Sequence, residues 1–260
     1  MCLIVLAHRA RPGIELIVAA NRDELFERPA LPAAFWPDHP DILGGRDQQA
    51  GGSWLGISRA GRFAAVTNYR DPRQRRADAP SRGALVGDFL KQSAAPGQYL
   101  EGIEPLAGEF NGFSLLAGVP GDLRFYSNKA GDRAAHVVSP GVHGLSNRLL
   151  DEPWPKVARS KAWLERLLDR PFAPEPLFEL LADETVAPDA ELPDTGIGLE
   201  RERKASAIRI RDAVYGTRCS TVVLLRSNGE GEFHERSFAA DGSVSGTVSF
   251  RLRTPGPATS

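Results

Sequence analysis

The second residue of the chain is a cysteine, and the apolar run Leu3-Ile4-Val5-Leu6-Ala7 follows it at once. An initiator methionine is normally removed when a small residue follows. The mature chain is therefore expected to begin at Cys2. A residue in that place carries a thiol and a free α-amine on one carbon. The thiolate is a nucleophile. An α-amine with an unperturbed pKa of about 7.7–8.0 can take and return a proton near neutrality. One residue would supply both nucleophile and base. The competing reading is a small apolar residue that merely opens a strand, so the rest of the chain has to decide.

The elements that must position Cys2 follow from the apolar pattern. Leu3 to His8 and Ile14 to Ala20 read as strands joined by the turn chemistry of Arg11-Pro12-Gly13. Their antiparallel pairing sets the cluster Asn21-Arg22-Asp23-Glu24 beside the Cys2 thiol. Arg28 to Pro40 is proline-rich and reads as a loop packed by Phe35 and Trp36. The glycine pairs Gly44-Gly45 and Gly51-Gly52 have no strand-to-helix context. They suit turns or close backbone approach, not a phosphate loop. Ser53 to Ser58 and Arg62 to Asn68 form a hairpin about Arg59-Ala60-Gly61. Tyr69 to Pro80, with its basic run Arg70 to Arg76, reads as a solvated loop.

Further on, Ser81 is an N-cap candidate for a helix carrying Leu85, Val86, Phe89 and Leu90, and a second helix is expected over Gln98 to Leu106. Strand-like segments at Phe113 to Ala117, Leu123 to Ser127, Ala135 to Val138 and Gly141 to Asn147 precede helices at Pro153 to Leu168 and around Phe178 to Leu181. Ala187 to Glu200 reads as a loop. Ala205 to Ile210, Cys219 to Leu225, Glu232 to Phe238 and Val244 to Leu252 read as strands, and Thr254 to Ser260 as a frayed tail. Strands and helices come in blocks, which favours α+β with antiparallel sheets over a doubly wound parallel sheet. No linker or repeat divides the chain, so residues 1–260 are expected to form one domain.

Composition sets bounds. The 260 residues are 42% hydrophobic and 25% charged with a formal net charge of −1, which argues against bulk attraction to nucleic acid. Two cysteines make no disulfide framework. The N-terminus has no basic region before its short apolar run, and no stretch approaches a membrane span. A soluble cytoplasmic protein is expected. The five histidines are scattered without metal-ligand spacing, so no metal is expected. Cys219, in an apolar strand, reads as an inert core thiol.

Met1-Cys2, Asn21-Arg22-Asp23-Glu24, Gly45-Arg46-Asp47, Gly51-Gly52-Ser53-Trp54-Leu55-Gly56, Thr67-Asn68-Tyr69-Arg70, Leu145-Ser146-Asn147 and Tyr215-Gly216-Thr217-Arg218 occur in that order. Any one is weak, but the ordered set covers nearly the whole chain. It resembles the NRDE family, the transport and Golgi organisation protein 2 homologues. That family in turn resembles the cysteine branch of the N-terminal nucleophile (Ntn) hydrolases, with its bile salt hydrolases, penicillin V acylases and acid ceramidase. The resemblance implies a four-layer αββα sandwich. It implies Cys2 as nucleophile, Arg22 near its sulfur favouring the thiolate, and Asp23 holding the α-amine. It implies Asn68 as an oxyanion or positioning residue, Asn147 as oxyanion donor, and Arg218 orienting the polar cluster. The chemistry would be acyl transfer from a small-molecule amide, ester or thioester, with no cofactor. The alternative is a non-catalytic carrier of haem or an apolar lipid-like ligand, since the family is associated with haem trafficking and lipid homeostasis.

Overall fold

The computed structural model describes residues 2–132 and 134–255. The expectations that Met1 is removed and that residues 256–260 fray lie outside them. The elements in chain order are β1 (Cys2–Arg11), β2 (Ile14–Leu25), β3 (Ala30–Trp36), β4 (His39–Asp47), β5 (Leu55–Ser58), β6 (Phe63–Asn68), α1 (Gly83–Lys91), α2 (Pro96–Ile103), β7 (Phe113–Val119), β8 (Asp122–Ser127), β9 (His136–Val137), β10 (Gly141–Leu145), α3 (Pro155–Leu168), α4 (Pro174–Leu181), α5 (Leu199–Ala205), β11 (Tyr215–Arg226), β12 (Glu230–Phe238) and β13 (Val244–Arg253).

The strands form two antiparallel sheets, ordered β10-β1-β2-β11-β12-β13 and β3-β4-β5-β6-β7-β8-β9. Side chains alternate across a strand, and the burial pattern shows where each face goes. Ile4, Leu6, Leu16, Val18, Val223 and Phe233 of the first sheet meet Leu43, Ile57, Phe63 and Leu116 of the second in a core between the sheets. The other face, with Leu3, Val5, Ile17, Ala19, Val222 and Leu224, is covered by Val157 and Leu164 of α3 and Leu177 and Leu180 of α4. The outer face of the second sheet, with Ala64, Leu115 and Ala117, carries Val86 and Phe89 of α1 and Leu100 of α2. Both sheets are apolar on both faces because each is sandwiched. The result is the four-layer α+β αββα arrangement expected from the sequence.

Four local expectations are corrected. Arg28 to Pro40 is not a loop: Ala30–Trp36 is an edge strand paired with β4, and its prolines sit where an edge tolerates them. Ala205 to Ile210 is not a strand. Ala205 closes α5, and Asn21 holds the following segment by donating from Nδ2 to the Ile208 carbonyl at 2.9 Å. Arg70 does not belong to a solvated run. It is buried, whereas Arg73, Arg75 and Arg76 are exposed. Thr254 does not fray: it is buried, and its N–H donates to the Gly229 carbonyl at 2.7 Å.

Candidate functional site

Register brings the site together. Cys2 pairs with Arg22, and Arg22 pairs on its other side with Cys219. All three therefore share the face that looks into the space between the sheets. The alternation splits the sequence cluster that had been expected to gather at the thiol. Because β2 runs unbroken to Leu25, Arg22 stands on the cysteine's face while Asn21 and Asp23 point to the helical layer behind.

Each face is then built up separately. On the inner face, Arg22 is 5% exposed, and its guanidinium lies 4.3 Å from the centroid of the Trp54 ring and donates to Asp47 at 3.3 Å. Trp54 can lie there because Gly45 has no side chain: a Cβ at Gly45 would fall 2.2 Å from the indole. Asp47 also receives Arg28 at 2.6 Å and the Gln49 and Ala50 N–H groups, which closes the turn before Gly51 (φ +75°). Gly52 seats that turn on the start of α1, where a Cβ would meet the Gly83 carbonyl at 2.4 Å. The glycine motifs thus serve close approach, as expected, and their product is the placement of Arg22. Arg82, at the entry to α1, donates to the Gly112 carbonyl at 3.2 Å and has its pKa lowered by burial, with the Cys2 charge opposing that shift. Sequence reasoning missed Arg82; no motif marks it.

On the outer face, Asp23 is 2% exposed. Its Oδ1 accepts from Thr217 Oγ1 at 2.7 Å, and its backbone carbonyl accepts from the Tyr215 hydroxyl at 3.0 Å. Burial pushes the Asp23 carboxyl up, opposed by the charge of Lys156, the Thr217 bond and the charge of Arg70. The Tyr215-Gly216-Thr217-Arg218 motif therefore serves Asp23 through its tyrosine and threonine. Asn21 is structural: it bridges the Leu181 and Ile208 carbonyls and accepts from Ser220.

The remaining positions close the end of the sandwich. β10 pairs with β1 up to Ile4↔Leu145, so Ser146 and Asn147 follow beside Cys2. Ser146 Oγ donates to the Cys2 carbonyl at 2.9 Å. Asn147 is fully buried. Its Nδ2 donates to the Asn68 carbonyl at 3.0 Å, and its Oδ1 accepts from Arg70 at 3.3 Å. Asn68 enters the site through its backbone as the last residue of β6. Arg70 pairs with the buried Glu202 at 2.6 Å and stacks 4.7 Å from the Trp154 centroid. Arg218 occupies the bulge between Thr217 and Cys219 and donates to the Leu25 and Arg28 carbonyls at 2.8 and 3.0 Å, fastening the link from β2 to β3.

Behind Asp23 lies Lys156, which sequence reasoning also missed. It is 1% exposed, in the first turn of α3, and its Nζ has no hydrogen-bond partner among the described residues. Burial lowers its pKa to about 8, opposed by the Asp23 charge. No apolar periodicity could have flagged it, since a lysine in a helix reads as solvent-facing.

Cys219 is buried beside Glu235, and burial together with that carboxylate raises its pKa well above the ordinary thiol value. It lines a cavity of about 340 Å³ with Arg22, Trp54, Arg218, Glu235, Phe238 and Val248. Brief treatment with iodoacetamide is expected to label Cys2, which is partly exposed, many times faster than Cys219. Peptide mapping reads both rates, and faster labelling of Cys219 would contradict the assignment. Among the described residues, no group of three or more His, Cys, Asp or Glu side chains is placed to hold a metal ion, and no helix is long and apolar enough to cross a membrane.

Two solved structures share this architecture. A Caenorhabditis elegans orthologue of N-acylethanolamine-hydrolyzing acid amidase superposes with a TM-score of 0.52 at 14% identity, covering 85% of this chain and 92% of that one. The C2A mutant of a conjugated bile acid hydrolase from Clostridium perfringens gives 0.51 at 9% identity, covering 95% and 92%. At such identities the likeness speaks for the Ntn-hydrolase fold. In sequence, the chain is 37% identical over 257 residues to the transport and Golgi organization 2 homolog of Mus musculus, covering 91% of this chain and 93% of the mouse protein. It is 39% identical over 261 residues to the Bos taurus homolog, with the same coverage, and 28% identical over 266 residues to the Drosophila melanogaster protein. The family model described as "Transport and Golgi organisation 2" matches residues 1–240, and the chain belongs to that family.

Proposed function

We propose that the protein is an N-terminal cysteine hydrolase or acyltransferase that acts on a small-molecule amide, ester or thioester through an acyl-Cys2 intermediate. The observation that carries this reading is the pairing of Cys2 with the buried Arg22 on the inner face while the next residue, Asp23, is buried directly behind. That arrangement offers the sulfur a fixed positive neighbour and an α-amine a fixed carboxylate. In this mechanism the Cys2 thiolate attacks the carbonyl carbon and its α-amine holds the thiol proton. The amine then gives that proton to the leaving amine, alcohol or thiol. Water, deprotonated by the same amine, cleaves the thioester; an acceptor nucleophile in its place would give acyl transfer. Asn147 has a second N–H on Nδ2 besides the one given to Asn68, and this is the donor assigned to the tetrahedral oxyanion. The two structural neighbours are by name hydrolases of an N-acylethanolamine and of a conjugated bile acid.

The test is intact-mass analysis after incubation with a panel of N-acyl amides, esters and thioesters. An acyl adduct on the wild-type chain that is absent from Cys2→Ala is expected. Persistence of the same adduct in Cys2→Ala would refute the assignment. With a turned-over substrate in hand, Asn147→Ala should lower turnover by about 10²–10³-fold, the cost of one oxyanion donor. A folded variant with undiminished turnover would remove Asn147 from the mechanism.

One observation favours a second reading. The cavity beside Arg22 has apolar walls in Leu31, Pro32, Trp54, Phe238 and Val248. A carrier of an apolar ligand could use it without any covalent step. Its volume is at the lower end of the range for ligand pockets, about 300–1,000 Å³. Axial ligation of haem by Cys219 is opposed by its burial and by the Glu235 carboxylate beside it, which together hold the thiol protonated. A lipid-like chain suits the cavity better. Spectral titration with haem and binding of a fluorescent fatty acid to Cys2→Ala separate these ligands.

A further inference from the structure

Lys156 is costly where it stands. Burying a cation away from water is unfavourable unless it is paired. The first turn of a helix, with its exposed N–H groups, disfavours positive charge further. Yet this ammonium is sealed and has no hydrogen-bond partner among the described residues. Its place is fixed by packing: Trp154 caps α3 against Arg70, and Val157 lies over Gly144, where a Cβ would meet it at 2.6 Å. The first turn of α3 is thereby pressed onto the outer face where β1 begins.

The charges around it can be assigned. Arg70 is paired with Glu202, which also receives the Thr195 N–H at 2.9 Å. Arg159, one turn along α3, is paired with Asp183 at 2.7 Å. Asp23, the group assigned to the Cys2 α-amine, and the Cys2 thiolate are the negative groups whose charge favours the Lys156 ammonium, with Arg70 and Arg159 opposing it. Two amines then share one carboxylate. While Cys2 stays a thiol they cannot both hold a proton without leaving a net buried positive charge, and a charge on Lys156 lowers the proton affinity of the amine beside it.

We propose that Lys156 is a positioning residue of the Cys2 site: its buried ammonium keeps Asp23 ionised as the anchor of the α-amine and holds that amine in its neutral, proton-accepting form. This rests on the reading of Cys2 as an N-terminal nucleophile, but it can be tested apart from it. Lysine acts through the field at Asp23 and at the amine, and touches no reacting atom. Loss of its charge raises the proton affinity of the amine, because a like charge has been removed.

The experiment uses the full chain released by a protease so that residue 2 is first, in a Cys2→Ser background that keeps the amine and removes the thiol. Competitive acetylation of the amine as a function of pH, read by mass spectrometry of the N-terminal peptide, gives its pKa without any substrate. In the Lys156-containing chain the expected pKa lies below the ordinary α-amine range of about 7.7–8.0. Lys156→Met should raise it by about one unit, within the usual effect of a nearby charge. Lys156→Arg should restore the low value, which a merely space-filling role would not do. A parent pKa at or above 8 overturns the proposal, even if Lys156→Met fails to fold. An unchanged pKa in a folded Lys156→Met also overturns it. If the shift is found while no acyl adduct ever forms on Cys2, the hydrolase reading fails and the role of Lys156 at the amine stands.

Discussion

An uncleaved N-terminal extension is expected to abolish hydrolysis, whereas an extension after Ser260 leaves it intact. If the base is the α-amine of Cys2, converting it to an amide leaves no group there that accepts a proton at neutral pH. The extension would also thread chain past the point where Ser146 meets the Cys2 carbonyl and where Asp23 waits behind β1. The other end of the described chain is remote from this chemistry, with Thr254 bound to Gly229 at the β12 turn. The measurement is turnover of one substrate by the two fusions, with circular dichroism to show that both are folded. Protease release of the N-terminal extension should restore turnover in the same sample. Full turnover by the folded, uncleaved N-terminal fusion would eliminate the amine as base. A carrier has no use for the amine, so ligand binding that survives both extensions without any turnover would favour the second reading.

The layer order was legible in the sequence because it depends on short-range signals. The Pro12-Gly13 turn, with Gly13 at φ +76°, fixes the first hairpin, and that hairpin alone sets Cys2 against Arg22. The blocks of strands and helices then restrict the architecture. What the sequence did not disclose depends on contacts between distant elements. Asn21-Arg22-Asp23-Glu24 looked like one polar cluster, but a strand sends alternate residues to opposite layers. Its arginine therefore stands on the cysteine's face and its aspartate on the helical side. The resemblance implies that Arg218 orients the polar cluster near Cys2; in the fold it sits in a bulge and its side chain donates to the carbonyls of the link from β2 to β3. Lys156 and Arg82 carry no local mark at all. Lys156 lies in the first turn of α3 and Arg82 at the entry to α1, and only the packing of those helices against the sheets shows which way they face.

Arg70 is the case in which local reading failed most completely, and it carries the largest expected effect on stability. In sequence it belongs with Arg73, Arg75 and Arg76 to a basic run that suits a solvated loop. Its neighbours are in fact exposed, but its own guanidinium is shut in between Glu202 of α5, Asn147 Oδ1 and the Trp154 ring. Its backbone N–H donates to the Asn147 carbonyl at 2.8 Å, so it braces the candidate oxyanion donor from both chain and side chain. Arg70→Met is expected to destabilise the fold by about 3–5 kcal/mol, because Glu202 is left as a buried charge without its partner. Replacing both members, as Arg70→Met with Glu202→Leu, should recover much of that loss, since burying an ion pair has its own desolvation cost. The recovery restores packing and not the bond to Asn147. The double variant should therefore be stable yet slow on any substrate that the parent turns over. Urea unfolding of the parent, both single variants and the double variant gives the coupling energy directly. A single Arg70→Met variant as stable as the parent would show that Glu202 does not depend on this arginine. A double variant with full turnover would show that Asn147 does not depend on it either.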